Sequence, residues 1–114
     1  MFKFLKRITV ETQLTYNGFD NGYDALITER IEQFRDIARH FMMDWVEKPE
    51  VELAPALFTY NESKDVIPFG THQVLAIRWR VLLQPDKWER FQAEINDYVE
   101  GKGYAMFLVY DSVP

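Results

Sequence analysis

The hydrophobic periodicity of this chain switches from strand-like to helix-like and back, twice over, and that alternation limits its possible folds more than any other feature. Over residues 4–16 the even positions read Phe, Lys, Ile, Val, Thr, Leu, Tyr and the odd positions Leu, Arg, Thr, Glu, Gln, Thr. Side chains of a strand point alternately to its two faces, so this pattern predicts a strand with one buried face. Over residues 23–46 the apolar residues fall instead at Ile27, Ile31, Phe34, Ile37, Ala38, Phe41 and Trp45, one stripe along a helix. Glu29, Arg30, Glu32, Arg35, Asp36 and Arg39 occupy the other face, spaced for ion pairs one turn apart. Asn21 is a candidate cap for this helix, with Asp24 in its first turn, and Lys48-Pro49 predicts its end.

The second half repeats the grammar. Residues 51–60 predict a strand, and Pro55, which cannot donate to a ladder, predicts that it lies at a sheet edge. Residues 61–70 read as a loop. Residues 72–83 predict a strand with Leu75, Ile77, Trp79, Val81 and Leu83 on one face and Arg78 and Arg80 on the other. Pro85 suits the first turn of a second helix, whose stripe is Trp88, Phe91, Ile95 and Val99 with Tyr98 alongside, and Gly101 is its natural stop. Residues 104–110 are apolar throughout, as in a strand covered on both faces.

The simplest closure of this order is a single α+β domain spanning residues 1–114. It is a ferredoxin-like βαββαβ sandwich, with a four-stranded antiparallel sheet in the order 4-1-3-2 and both helices on one face. A length of 114 residues suffices for one core. The absence of cysteine excludes disulfides, thiolate metal sites and cysteine nucleophiles. The net charge of -5 argues against general binding to nucleic acid. The basic, apolar start is interrupted by Thr9, Glu11, Thr12 and Gln13 before a signal-peptide core can form, and no run is long enough to span a membrane. A cytoplasmic location without membrane contact is therefore expected. Asn61-Glu62-Ser63 then reads as a chance glycosylation sequon.

Two helices cover only one side of such a sheet. The predicted register puts Leu5, Arg7, Thr9, Glu11 and Gln13 on the open side, with Val74, Ala76, Arg78, Arg80 and Leu82 from the third strand. The last strand adds either Tyr104, Met106, Leu108 and Tyr110, or Ala105, Phe107 and Val109. Either choice leaves an apolar margin beside arginines, and exposed apolar patches normally have partners. Arg7, Glu11, Arg78, Arg80, Tyr104 and Tyr110 are the candidate interaction face. Ile67 and Phe69, in an unusually apolar loop, are candidate contacts if that loop does not plug the core.

Other constellations carry less. Asp36, His40 and Asp44 recur every four residues, a spacing that can ligate a metal but more often marks a solvated helix face, and no metal is expected. Arg78 and Arg80 could clamp an anion or pair with Glu11 across strands. Ser63 and Ser112 lie outside any nucleophile elbow, and Gly101-Lys102-Gly103 follows a helix where a phosphate cradle would precede one. No catalytic residue and no cofactor is assigned.

These features point to a small, non-catalytic protein-interaction domain: an adaptor, inhibitor or immunity-type binder that contacts a protein partner or itself, as a sheet-face homodimer. The alternative is a dimeric α/β barrel, an enzyme or a small-molecule binder, enclosing a ligand beside His72 and the arginines. A third reading, a single-strand nucleic-acid binder, is disfavoured because Thr9, Glu11, Ala76, Arg78 and Arg80 stand where stacking aromatics belong.

Overall fold

In the first strand Ile8, Val10, Thr12 and Leu14 are buried against the helices, as the sequence predicts, but the other face is not uniformly open: Arg7 and Gln13 are exposed, whereas Thr9 and Glu11 between them are buried. The computed structural model describes residues 5–16, 22–55, 59–60, 66–67 and 73–112. In chain order the elements are β1 (Lys6–Tyr16), α1 (Tyr23–His40), β2 (Trp45–Val46), β3 (Glu50–Pro55), β4 (Thr59–Tyr60), β5 (Val66–Ile67), β6 (Gln73–Leu83), α2 (Pro85–Lys102) and β7 (Leu108–Asp111).

The chain is an α+β protein with a five-stranded antiparallel sheet and two helices. β1 and β6 pair along their whole length, from Lys6 opposite Leu83 to Tyr16 opposite Gln73. β7 pairs with the other side of β1, and β2 and β3 both pair with the other side of β6. Among the described residues β3 has β6 as its partner strand, which makes the strand of Pro55 an edge strand there. β4 and β5 form a separate two-stranded sheet.

One core lies between the sheet and the helices. Phe34, Ile37 and Phe41 meet Phe91, Ile95 and Val99 over Ile8, Val10, Ile77, Trp79, Val81, Leu83 and Phe107. Phe34 stacks on Trp79 with ring centroids 4.3 Å apart, and Phe41 meets Phe91 edge-on at 5.0 Å. Burying Phe-sized side chains is worth about 1.5–3 kcal/mol each, so this layer dominates the fold energetics.

Several expectations need correction. The sheet has five strands among the described residues, where four were expected. The strand expected over 51–60 is β3, which ends at Pro55, while Thr59 and Tyr60 belong to the second sheet. α1 stops at His40, short of residue 46, because Met42 adopts a left-handed conformation (φ 53°). Trp45 is thereby released from the helical stripe and enters the sheet as β2, 49 % exposed. α2 runs through Gly101, and the left-handed stop is Gly103 (φ 70°). The last strand begins at Leu108, four residues later than expected. Gly22 precedes α1 without a side-chain cap, and the expected cap Asn21 lies outside the described residues.

Candidate interaction face

Residues opposite one another in an antiparallel ladder share a face. Arg7, Thr9, Glu11 and Gln13 therefore stand beside Leu82, Arg80, Arg78 and Ala76 on the side of the sheet away from the helices. β7 contributes Tyr110, opposite Thr9, and Leu108, opposite Glu11, whereas Val109 faces the core with Val10. β3 contributes Glu50, opposite Arg78, and Glu52, opposite Ala76. β2 contributes Trp45, opposite Leu82.

The centre of this face is a closed polar network. Glu11 is only 6 % exposed, and a buried carboxylate persists only if it is paired. It accepts hydrogen bonds from Gln13 Nε2 (2.6 Å), Arg78 Nε (2.5 Å) and the Tyr110 hydroxyl (2.8 Å). Arg78 also donates through Nη1 to Glu52. Burial pushes the Glu11 carboxyl up, but the hydrogen bonds from Gln13, Arg78 and Tyr110 and the charge of Arg78 outweigh it, holding the group below the usual carboxylate range. The bond to Glu52 is the largest cause of the upward shift at Arg78, and burial is the largest at Tyr110.

One end of the face is open. Arg7, Trp45, Glu47, Arg80, Leu82 and Ser112 surround a basin of about 890 Å³. Leu82 is opposite Arg7 on one side and Trp45 on the other, so an apolar floor lies between a guanidinium and an indole. The Arg80 side chain is 62 % exposed and lies 3.8 Å from Glu50, a loose contact. Arg7 makes no ion pair among the described residues. Ser112 is tied in by its hydroxyl, 2.9 Å from Thr9 Oγ1, and by its N–H to the Arg7 carbonyl. Tyr110, 40 % exposed, adds apolar surface to the same face. A second, smaller groove of about 700 Å³ runs between α2 and β7, lined by Trp88, Ile95, Val99, Met106 and Leu108 among others.

The strand register thus brings Arg7, Glu11, Arg78, Arg80 and Tyr110 to one face, and of the two facings left open for the last strand it takes the one with Leu108 and Tyr110. Tyr104 does not join them. It precedes β7, and its hydroxyl donates to Asp36 Oδ2 at 2.8 Å, beside a matching 2.6 Å bond from Tyr98. Those bonds hold the Asp36 carboxyl down, push Tyr98 up to about 12 and raise Tyr104 as well. Ile67 lies in β5, with its side chain outside the described part of the structure, and Phe69 and His72 lie outside the described residues. Trp45 and Ser112 belong to the basin but escape the sequence reading. Trp45 continues the apolar spacing of α1 four residues after Phe41, so nothing in the pattern sets it apart.

The Asp36, His40, Asp44 spacing does not survive the end of α1. Asp36 is taken by the two tyrosines, and His40 stacks on Tyr98 at 4.1 Å. The Asp44 carboxylate accepts from the Gln84 N–H (2.9 Å) and from Lys87 (3.0 Å) at the start of α2. Among the described residues, no three His, Asp or Glu side chains gather as a metal site, and no helix is long and apolar enough to cross a membrane. No protein-family model, curated protein or solved structure matches this chain.

Proposed function

We propose that this chain is a small protein-interaction domain, of the adaptor, inhibitor or immunity type, that acts in the cytoplasm and binds through the open end of its sheet face. The strand pairing supports a ferredoxin-like reading of the fold, with β2 and β3 together filling the place of the second strand. One observation carries the function: a half-exposed tryptophan lines one basin with two arginines at an end of the sheet face. Trp, Tyr and Arg supply most binding hot spots, because each combines large contact area with directional polar groups. The partner is another protein or a second copy of the chain.

The test uses Arg7→Glu combined with Trp45→Ala. Arg78 is unsuitable, because reversing it would leave buried Glu11 without its cation. Wild-type protein should either retain a partner in affinity capture or show a dimer by light scattering. The double variant should lose that association and keep the wild-type unfolding midpoint. Identical association in both proteins would contradict the proposal.

A further inference from the structure

We propose that the basin recognises the C-terminal residue of a protein partner when that residue is apolar or aromatic, taking its carboxylate on the arginines and its side chain on Leu82 and Trp45. This rests on the reading of the face as a contact surface and names the chemistry it selects. Three observations carry it.

The first is the cation pair. Arg7 lies opposite Leu82 and Arg80 opposite Thr9, so the arginines are diagonal neighbours on adjacent strands. Such positions are about 7–8 Å apart, close enough for two long guanidinium side chains to converge on one planar carboxylate. Arg7 has no carboxylate partner among the described residues, and Arg80 has only its loose contact with Glu50.

The second is the adjacent floor. Arg7, Leu82 and Trp45 sit on three neighbouring strands, about 4.8 Å apart from one to the next. The anion site and the apolar site are thus separated by the span of one residue. A C-terminal Phe or Leu carries its carboxylate and its apolar side chain on a single Cα, whereas Asp and Glu lack the apolar group.

The third is the charge on the rim. Glu47 lines the same basin, and Glu50 stands 3.8 Å from Arg80. These carboxylates repel a dianionic phosphate more than a singly charged carboxylate, and a phosphate gains nothing from Leu82 or Trp45. A volume of about 890 Å³ leaves room for a terminal residue together with the residues that precede it.

The test is an NMR titration of the full chain with acetyl-Gly-Gly-Phe as the free acid, and in parallel with its C-terminal amide, phenylacetate and inorganic phosphate. The free acid should shift the signals of Arg7, Trp45 and Leu82 saturably. The amide should bind at least tenfold more weakly, and phosphate should leave the indole signal of Trp45 unmoved. Arg7→Gln should weaken the acid at least fivefold, and Arg80→Gln should weaken it measurably. Both side chains are exposed, so neither change threatens the fold. Equal binding of acid and amide, or shifts centred on the groove between α2 and β7, would overturn the proposal. Tighter binding of phenylacetate than of the peptide would replace the protein terminus with a free acid. If Trp45→Ala abolishes partner retention while acid and amide bind alike, the carboxylate proposal fails and the contact surface stands. If the acid is preferred but no protein or second copy associates, the chemistry stands and the contact surface fails.

Discussion

Arginines on one sheet face do different work according to what surrounds them. Arg78 is the cation of a buried carboxylate, held between Glu11 and Glu52. Arg80, two residues along the same strand, keeps most of its side chain in solvent. Glu11→Gln should therefore lower stability by about 1.5–3 kcal/mol, the range for hydrogen bonds to a charged group. Arg80→Gln should stay within about 0.5 kcal/mol of wild type, as for an exposed surface change. Urea unfolding measures both. The pH dependence follows from the lowered pKa of Glu11. The folded state holds this proton less tightly than the unfolded state, whose carboxyl titrates near 4.5. Its contribution is fully present above that pH and is lost as pH falls through the lower, folded value. Between pH 5 and 2, wild type should therefore lose more stability than Glu11→Gln. The sequence places Glu11 and Arg78 on one face, and their burial could not be read from it. Gln13 and Tyr110 hydrogen-bond Glu11 there, and period-two patterning says nothing about such contacts or about height above the sheet.

Both helices end in the same hydrogen-bonded turn, and only one of them advertises it. In α2 the Gly103 N–H donates to the Glu100 carbonyl and the Tyr104 N–H to that of Val99. In α1 the Met42 N–H donates to Arg39 and the Met43 N–H to Ala38, the same three-back and five-back pattern. The left-handed residue is glycine in the first case and methionine in the second, with φ 70° and 53°. A side chain in that region crowds its own backbone, at a cost of about 1 kcal/mol. Met42 is 57 % exposed and gives up little burial, so Met42→Gly should stabilise the protein by about 1 kcal/mol. Gly103→Ala should destabilise it by a similar amount, through backbone strain alone, since a Cβ there meets nothing within 4 Å. A shift of the thermal unfolding midpoint in opposite directions is the expected readout. This turn also explains the largest misreading of the sequence. Glycine marks the end of α2 for any reader, but Met42 carries no such mark, and Trp45 keeps the helical spacing by coincidence. The stripe from Ile27 to Phe41, by contrast, is legible because about four turns of consistent spacing leave no other buried face.

At the level of the whole molecule, the α+β class, the two long central strands and the pairing of helices with one core follow from periodicity alone. The fifth strand does not, because a two-residue strand such as Trp45–Val46 is too short to show a period. That short strand matters most for function: it sets an indole beside Arg7, Arg80 and Leu82 and turns a charged face into one with an apolar floor. The central claim is that this end of the sheet meets a protein, and hydroxyl-radical footprinting tests it most directly. The chain carries its own comparison, since Trp45, Met42 and Met106 are respectively 49 %, 57 % and 65 % exposed, and Met106 lines the other groove, between α2 and β7. Oxidation should be compared between dilute, isolated protein and protein at high concentration or in lysate from its own source. The account predicts that Trp45 becomes protected while Met42 and Met106 react as before. Unchanged oxidation of Trp45 under both conditions, or protection of Met106 in its place, would contradict it.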